Sequence, residues 1–156
     1  MNFARLVPSL WKDPEFKEIV KMGPSHLVLA FYLRTNRFAN MLGLYEVSTY
    51  HMAKETGLGE DAEKILSELI EADYCRYDPE SEFVWVIGMA NMQVPKPLTW
   101  KQKKGIRNQL VRLITESDCP FVELWQAKYK SLTLDMEQEI RDGIYCTDAN
   151  EKEGRR

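Results

Sequence analysis

Two histidines, three cysteines and 24 carboxylates are the side chains of this 156-residue chain whose types could support catalysis or metal binding. Their spacing argues against both. His26 and His51 fall in different predicted helices, and neither has a cysteine or carboxylate at metal-ligand spacing. His26 is expected at the edge of a core, and His51 on a helix surface where it can touch a partner. Cys75, Cys119 and Cys146 are odd in number and widely spaced, with no Cys-x-x-Cys pair, so neither a zinc site nor a disulfide framework is indicated. Three reduced thiols are expected, Cys75 and Cys119 half-buried. Gly57-Leu58-Gly59 lacks the Lys-Ser/Thr and the βαβ setting of a phosphate loop. No Ser-His-Asp arrangement is suggested by spacing, and the carboxylates read as solvated faces. The expectation is a non-enzyme with no cofactor, no metal and no small-molecule substrate.

The chemistry that remains is that of charge. The net charge of −3 hides a segregation along the chain. Residues 1–37 carry a net +3, residues 38–95 a net −8, residues 96–112 a net +6 with no acid among them, and the remainder a net −4. In a helix beginning near Trp100, the 3.6-residue period gathers Lys101, Lys104, Asn108 and Arg112 on one side, with Lys103 and Arg107 flanking them. Ile106, Leu110, Leu113 and Ile114 form the opposite, apolar face. Cations without interleaved acids create a local positive potential that attracts phosphates. These six residues are the candidate nucleic-acid contacts. The same stripe also reads as a solvated face, as a match for an acidic protein, or as a match for the −8 region of a second copy in a homo-oligomer.

A second charged helix spans roughly Glu60 to Ala72. Its exposed positions are Glu60, Asp61, Glu63, Lys64, Ser67, Glu68 and Glu71, one cation among five carboxylates. DNA carries about one negative charge per 1.7 Å of axis, so this helix is poorly suited to lie along phosphates. Glu60, Glu63, Lys64, Glu68 and Glu71 are instead candidate partner-binding residues for a basic protein surface.

The elements that position these charges can be read from local signals. Asp13 caps a helix that starts at Pro14 and ends at Gly23. Pro24 opens an almost wholly apolar helix to Thr35, which belongs in the centre of a core. Leu44 to Val47 reads as a strand. Ser48 caps a two-turn helix ending before Gly57, and a tight glycine turn leads into the acidic helix, giving a helix-turn-helix arrangement. Runs 74–78 and 83–87 flank Pro79-Glu80-Ser81-Glu82 as a hairpin, with the early strand as a third partner. Residues 88–98 lack periodicity and are expected to be a linker against the core. Thr99 and Gln102 predict a capping box for the cationic helix. A further helix is expected from Asp118 or Pro120, packing through Phe121, Val122, Leu124, Trp125 and Tyr129, and an acidic one from Leu134 to Asp142. Trp11, Trp85, Trp100 and Trp125 are expected as core anchors, Trp100 least firmly. The fold class is therefore mainly α with a small antiparallel sheet: a winged helix-turn-helix over residues 1–95, a helical extension over 96–145 packing on or beside it, and a frayed tail over 146–156.

With the elements placed, a family resemblance becomes visible over residues 5 to 95. It rests on Trp11-Lys12-Asp13 with Phe16, Tyr32-Leu33-Arg34-Thr35-Asn36, Gly43-Leu44-Tyr45, Met52-Ala53-Lys54-Glu55-Thr56-Gly57-Leu58, and Tyr77-Asp78 leading into Val84-Trp85-Val86. This combination resembles the N-terminal winged-helix domain of phage and prophage DNA-replication proteins, the replisome-organiser and DnaD-like primosome group. The resemblance implies a role in replication initiation through origin binding or helicase loading, with DNA and replication proteins such as a helicase as partners. Neither a signal peptide nor an apolar run longer than Leu27–Leu33 is visible, and a span needs about 20 such residues. A cytoplasmic location with no membrane partner is the expectation, in the host cytoplasm for a phage-encoded chain.

Overall fold

Asp13 opens the first α-helix by accepting backbone N–H bonds from Glu15 at 2.9 Å and Phe16 at 3.2 Å. These donors have no partner within the helix, so the cap satisfies them. In this computed structural model, which describes residues 6–94 and 96–146, the chain divides into two compact units, Met1–Pro95 and Lys96–Arg156. It is mainly α with a small antiparallel sheet.

The first unit begins with a short 3-10 turn (Pro8–Lys12), followed by α1 (Pro14–Met22) and α2 (Pro24–Thr35). Strand β1 (Leu44–Glu46) precedes α3 (Thr49–Thr56) and α4 (Asp61–Glu71). The hairpin β2 (Cys75–Asp78) and β3 (Phe83–Val86) follows directly. The strand order is β1-β3-β2, antiparallel throughout, with Tyr45 opposite Val84 and Arg76 opposite Trp85. Ser48 caps α3, and Gly57 closes it in the left-handed conformation at φ +74°. A four-residue turn then leads into α4. Gly43 is required where the chain enters β1. Its φ is +73°, and a Cβ there would lie 2.8 Å from the Val86 carbonyl oxygen, so only glycine fits.

The core of this unit is built from Phe16, Ile19, Leu29, Leu33, Met52, Ile65, Leu66 and Leu69 on the helices and Tyr45, Cys75, Val84 and Val86 on the sheet. Packed against it is the C-terminal end of α2, where the Tyr32 carbonyl accepts from the Asn36 amide and the Leu33 carbonyl lies past the reach of the helix's own amides. Side chains supply donors to four successive carbonyls here. Tyr74 donates its hydroxyl to the Ala30 carbonyl at 2.9 Å, and Thr35 to that of Phe31 at 2.7 Å. Asn36 Nδ2 donates to the Tyr32 carbonyl at 2.9 Å, and the Tyr45 hydroxyl to that of Leu33. Asn36 also donates to the Tyr45 oxygen and accepts from the Phe38 and Ala39 amides. Arg34, only 5% exposed, donates through Nε to the Tyr74 oxygen at 2.7 Å and through Nη1 to the Met92 sulfur at 2.9 Å. Burial pushes the Tyr74 hydroxyl up to about 12 and that of Tyr45 further above the phenol range.

Residues 88–94 depart from the expected irregular linker. Met89–Gln93 form a short helix, α5, with Met89 and Ala90 buried. Five residues are too few for a periodic pattern to show in the sequence.

The second unit contains α6 (Trp100–Thr115), α7 (Val122–Lys128), α8 (Lys130–Thr133) and α9 (Glu137–Arg141). The predicted capping box is present: Thr99 Oγ1 accepts from the Gln102 amide and Gln102 Oε1 from the Thr99 amide. α6 packs through Ile106, Leu110, Val111 and Leu113 against the three shorter helices, with Val111 taking the inward place expected of Ile114. The helix expected from Asp118 or Pro120 starts at Val122 instead, and Asp118 lies outside it with a positive φ of 51°. Leu124, expected to pack, is 54% exposed. The expected helix from Leu134 to Asp142 is shorter and preceded by α8, with Leu134 exposed between the two.

Two expectations about burial also change. Trp11 is 55% exposed, its ring meeting Phe16 edge-on at 5.5 Å. All three cysteines are buried, and burial pushes the Cys75 thiol up to about 12. Among the described residues no helix is long and apolar enough to cross a membrane, and no cluster of metal-ligating side chains occurs.

Tyr45→Phe removes one hydroxyl and leaves the Leu33 carbonyl and an Asn36 donor without that partner inside the core. The expected cost is about 1–3 kcal/mol, read in urea as a lower midpoint with an unchanged slope. A midpoint equal to that of the parent protein would remove the Tyr45 bond from the account of how α2 is held.

Candidate functional site

The cationic helix α6 and the acidic helix α4 are the two candidate surfaces, and their side chains are not equally available. On α6, Lys101 is exposed. Arg112 is also exposed, 3.5 Å from Glu116 one turn on. Lys104 is half-buried. The other three candidates are engaged by the end of their own unit. Lys103 Nζ donates to Asp135 Oδ2 at 2.6 Å. Arg107 Nε donates to the Ile144 carbonyl at 3.0 Å. Asn108 grips the backbone of Cys146 from both sides: its Nδ2 donates to the carbonyl at 3.1 Å, and its Oδ1 accepts from the amide at 2.7 Å.

Residues 144–146 therefore lie along one flank of α6. A side-chain amide presents one donor and one acceptor, the complement of a peptide unit, which is why asparagine suits this position. Cys146, expected in a frayed tail, is buried and held. The rest of that expected tail, residues 147–156, lies outside the described residues. Sequence reasoning missed Asp135, Ile144 and Cys146 as partners of the cationic helix. No local signal marks a carbonyl as an acceptor for a residue 37 positions earlier.

On α4 the outward side keeps its carboxylates. Glu60, Asp61, Glu63, Lys64 and Glu71 are exposed. Asp61 and Glu63 lie in the first turn, where negative charge is favoured by the helix dipole. Glu68 differs from the others. It is half-buried, hydrogen-bonded to the His26 ring on α2, and 4.0 Å from Lys64. Glu68 thus holds α4 to α2, and His26 sits at the core edge as expected. Glu63 accepts from the Thr49 hydroxyl at 3.1 Å, linking α4 to the start of α3.

A third feature was not singled out from the sequence. Tyr50, on the first turn of α3, is 64% exposed. Its ring meets His51 edge-on at 5.8 Å, and His51 meets Phe38 at 5.1 Å. The Ser48 hydroxyl hydrogen-bonds His51 Nδ1 at 2.8 Å. Lys54 holds its ammonium 5.6 Å from the Tyr50 ring centre, and Arg37 its guanidinium 4.8 Å from that of Phe38. Arg37 also pairs with Glu55 at 3.0 Å. The hairpin tip closes on itself, with Asp78 accepting from the Ser81 amide and hydroxyl. These bonds hold the Asp78 carboxyl below the ordinary carboxylate range.

No family model, curated protein or solved structure matches this chain in comparisons with known proteins.

Two measurements separate structural from available charge on α6. Asn108→Ala should speed hydrogen exchange at the Cys146 amide and cost about 1–2 kcal/mol, whereas Lys101→Ala should stay within about 0.5 kcal/mol of the parent. Equal exchange at Cys146 in both variants would show that Asn108 does not hold it. Lys103 governs the second. Its hydrogen bond holds the Asp135 carboxyl below the ordinary carboxylate range. A depressed folded pKa contributes stability that is fully present above the unfolded value of about 3.9 and fades as pH falls through the lower folded value. Carboxyl carbon NMR should show Asp135 returning toward the ordinary range in Lys103→Ala, and an unmoved titration would contradict that pairing.

Proposed function

We propose that the protein is a non-enzymatic winged-helix protein of DNA replication, of the phage or prophage initiation and helicase-loading kind, which binds nucleic acid through the outer side of α6. The observation that carries this reading is the run of elements from Pro14 to Val86. Two helices, a strand, a helix pair joined by a four-residue turn, and a hairpin completing a β1-β3-β2 sheet follow one another. They fall on the segments that carry the resemblance to replication winged helices. The nucleic-acid surface is supported by the absence of acids from 96–112 and by the exposure of Lys101 and Arg112. Lys103, Arg107 and Asn108 hold the end of their unit under this reading, and Lys101, Lys104 and Arg112 meet phosphates.

A second reading makes the same fold a protein-interaction adaptor without nucleic acid. It is favoured by the outward carboxylates Glu60, Glu63 and Glu71, which oppose a phosphate backbone and suit a basic partner or a second copy.

Labelled duplex and single strands titrated across a salt series distinguish the two. Under the first reading the parent protein binds at about 50 mM salt with an affinity that falls steeply as salt rises. Replacing Lys101, Lys104 and Arg112 with alanine flattens the duplex slope by about 0.9 per lost phosphate contact. No binding by the parent protein at low salt overturns it. Under the second reading, lysine at Glu60, Glu63 and Glu71 abolishes partner capture. Glu68 is left unchanged, because its carboxylate also holds His26.

A further inference from the structure

A cleft of about 390 Å3 opens between the first turns of α3 and α4, lined by Thr49, Tyr50, Ala53, Gly59, Glu60 and Glu63. Its base is small: Ala53 has only a methyl group, and a Cβ built on Gly59 would meet nothing within 4 Å. Tyr50 provides an aromatic wall, and the two glutamates provide acceptors. The carboxylates alone would be accounted for by the dipole of α4. An exposed tyrosine ring beside them is not.

One side of that exposed ring has a packed neighbour. His51 abuts it, and His51 is fixed by the Phe38 ring and the Ser48 hydroxyl. The ring also already receives a cation, since Lys54 Nζ lies 5.6 Å from its centre. An aromatic ring and two carboxylates lining one cleft suit a planar cation: the guanidinium stacks on the ring and donates to the carboxylates. A phosphate would meet Glu60, Asp61 and Glu63 as like charges. A neutral group would leave the carboxylates without a counter-charge as the cleft closed over them.

We propose that this cleft is the docking point for an arginine side chain carried on a basic segment of a partner protein. The proposal rests on the adaptor reading of α4 and narrows it to one end of that helix.

Amide NMR on the full chain tests this, with acetyl-Gly-Arg-Gly-Arg-Gly-amide as the probe. The lysine analogue, the glutamate analogue and an eight-residue oligothymidylate serve as comparisons. The expected result is saturable shifts confined to residues 49–53 and 59–63, stronger for the arginine peptide than for its lysine analogue and absent with glutamate. Tyr50→Ala should weaken binding about three- to fivefold, while Tyr50→Phe retains it. Glu60→Gln with Glu63→Gln should weaken it further and remove most of its salt dependence. The proposal is overturned by equal shifts around Glu71, Glu80 and Glu82, by the same amides moving with oligothymidylate rather than peptide, or by their moving with protein concentration alone. Shifts centred on Glu71 with a silent cleft would sink the cleft and keep the adaptor reading. No response anywhere on α4 would remove both.

Discussion

The first unit depends on one interaction: the Leu33 carbonyl, near the end of α2 and past the reach of the helix's own amides, accepts from the buried Tyr45 hydroxyl on β1. A buried, unpaired carbonyl costs about 1–3 kcal/mol, a sizeable part of the margin of a typical small domain, and side-chain donors to the neighbouring carbonyls supplement this bond. The donors come from different parts of the chain. Tyr45 arrives on β1, Tyr74 immediately before β2, and Asn36 and Thr35 from the turn that ends the helix. Satisfying the helix end therefore requires the sheet to be formed and in register. The apolar core around Leu29, Leu33 and Met52 supplies the driving force, and this polar cluster selects one arrangement of it.

Arg34 extends the cluster to α5. A cation only 5% exposed is tolerated because its Nε meets the Tyr74 oxygen, its guanidinium lies 5.2 Å from the Tyr74 ring centre, and its Nη1 meets the Met92 sulfur. Met92 belongs to the short helix that replaces the expected linker. One charged side chain thus ties the C-terminal end of α2 to a segment that follows the sheet, so the chain as far as α5 is bound to the same core.

Charge does two different jobs in this molecule. On α6 the cations facing residues 135–146 close the second unit on itself, and what remains for a partner is the outer part of the stripe. On α4 Glu68 joins the helix to α2 and Glu63 meets Thr49 at the start of α3, while Glu60, Asp61 and Glu71 stay at the surface. Net charge over a segment is thus a poor measure of what a partner meets. Exposed pairs such as Arg112 with Glu116 are weak and exchange readily for a better partner, whereas the doubly bonded Asn108 does not. The proposed readings divide accordingly: phosphates would meet the residual cations of α6, and basic protein the acids of α4.

The sequence by itself determined the elements of the first unit from α1 to β3 and the capped start of α6. The signals are contained within a turn: Asp13 before Pro14, Ser48 with His51, Gly57 after α3, and Thr99 with Gln102. Cap and helix lie three or four residues apart, so composition and order suffice to read them. The cationic stripe and the acidic helix were legible in the same way, as were the strands around the hairpin. Only the tertiary structure decided which of those charges remain available. Lys103 meets Asp135 across 32 positions, and Asn108 meets Cys146 across 38. No periodicity within α6 encodes either encounter. The exposure of Trp11 and that of Tyr50 were hidden for the same reason. Whether an aromatic side chain is buried depends on which distant element covers it, and that is settled when the chain packs.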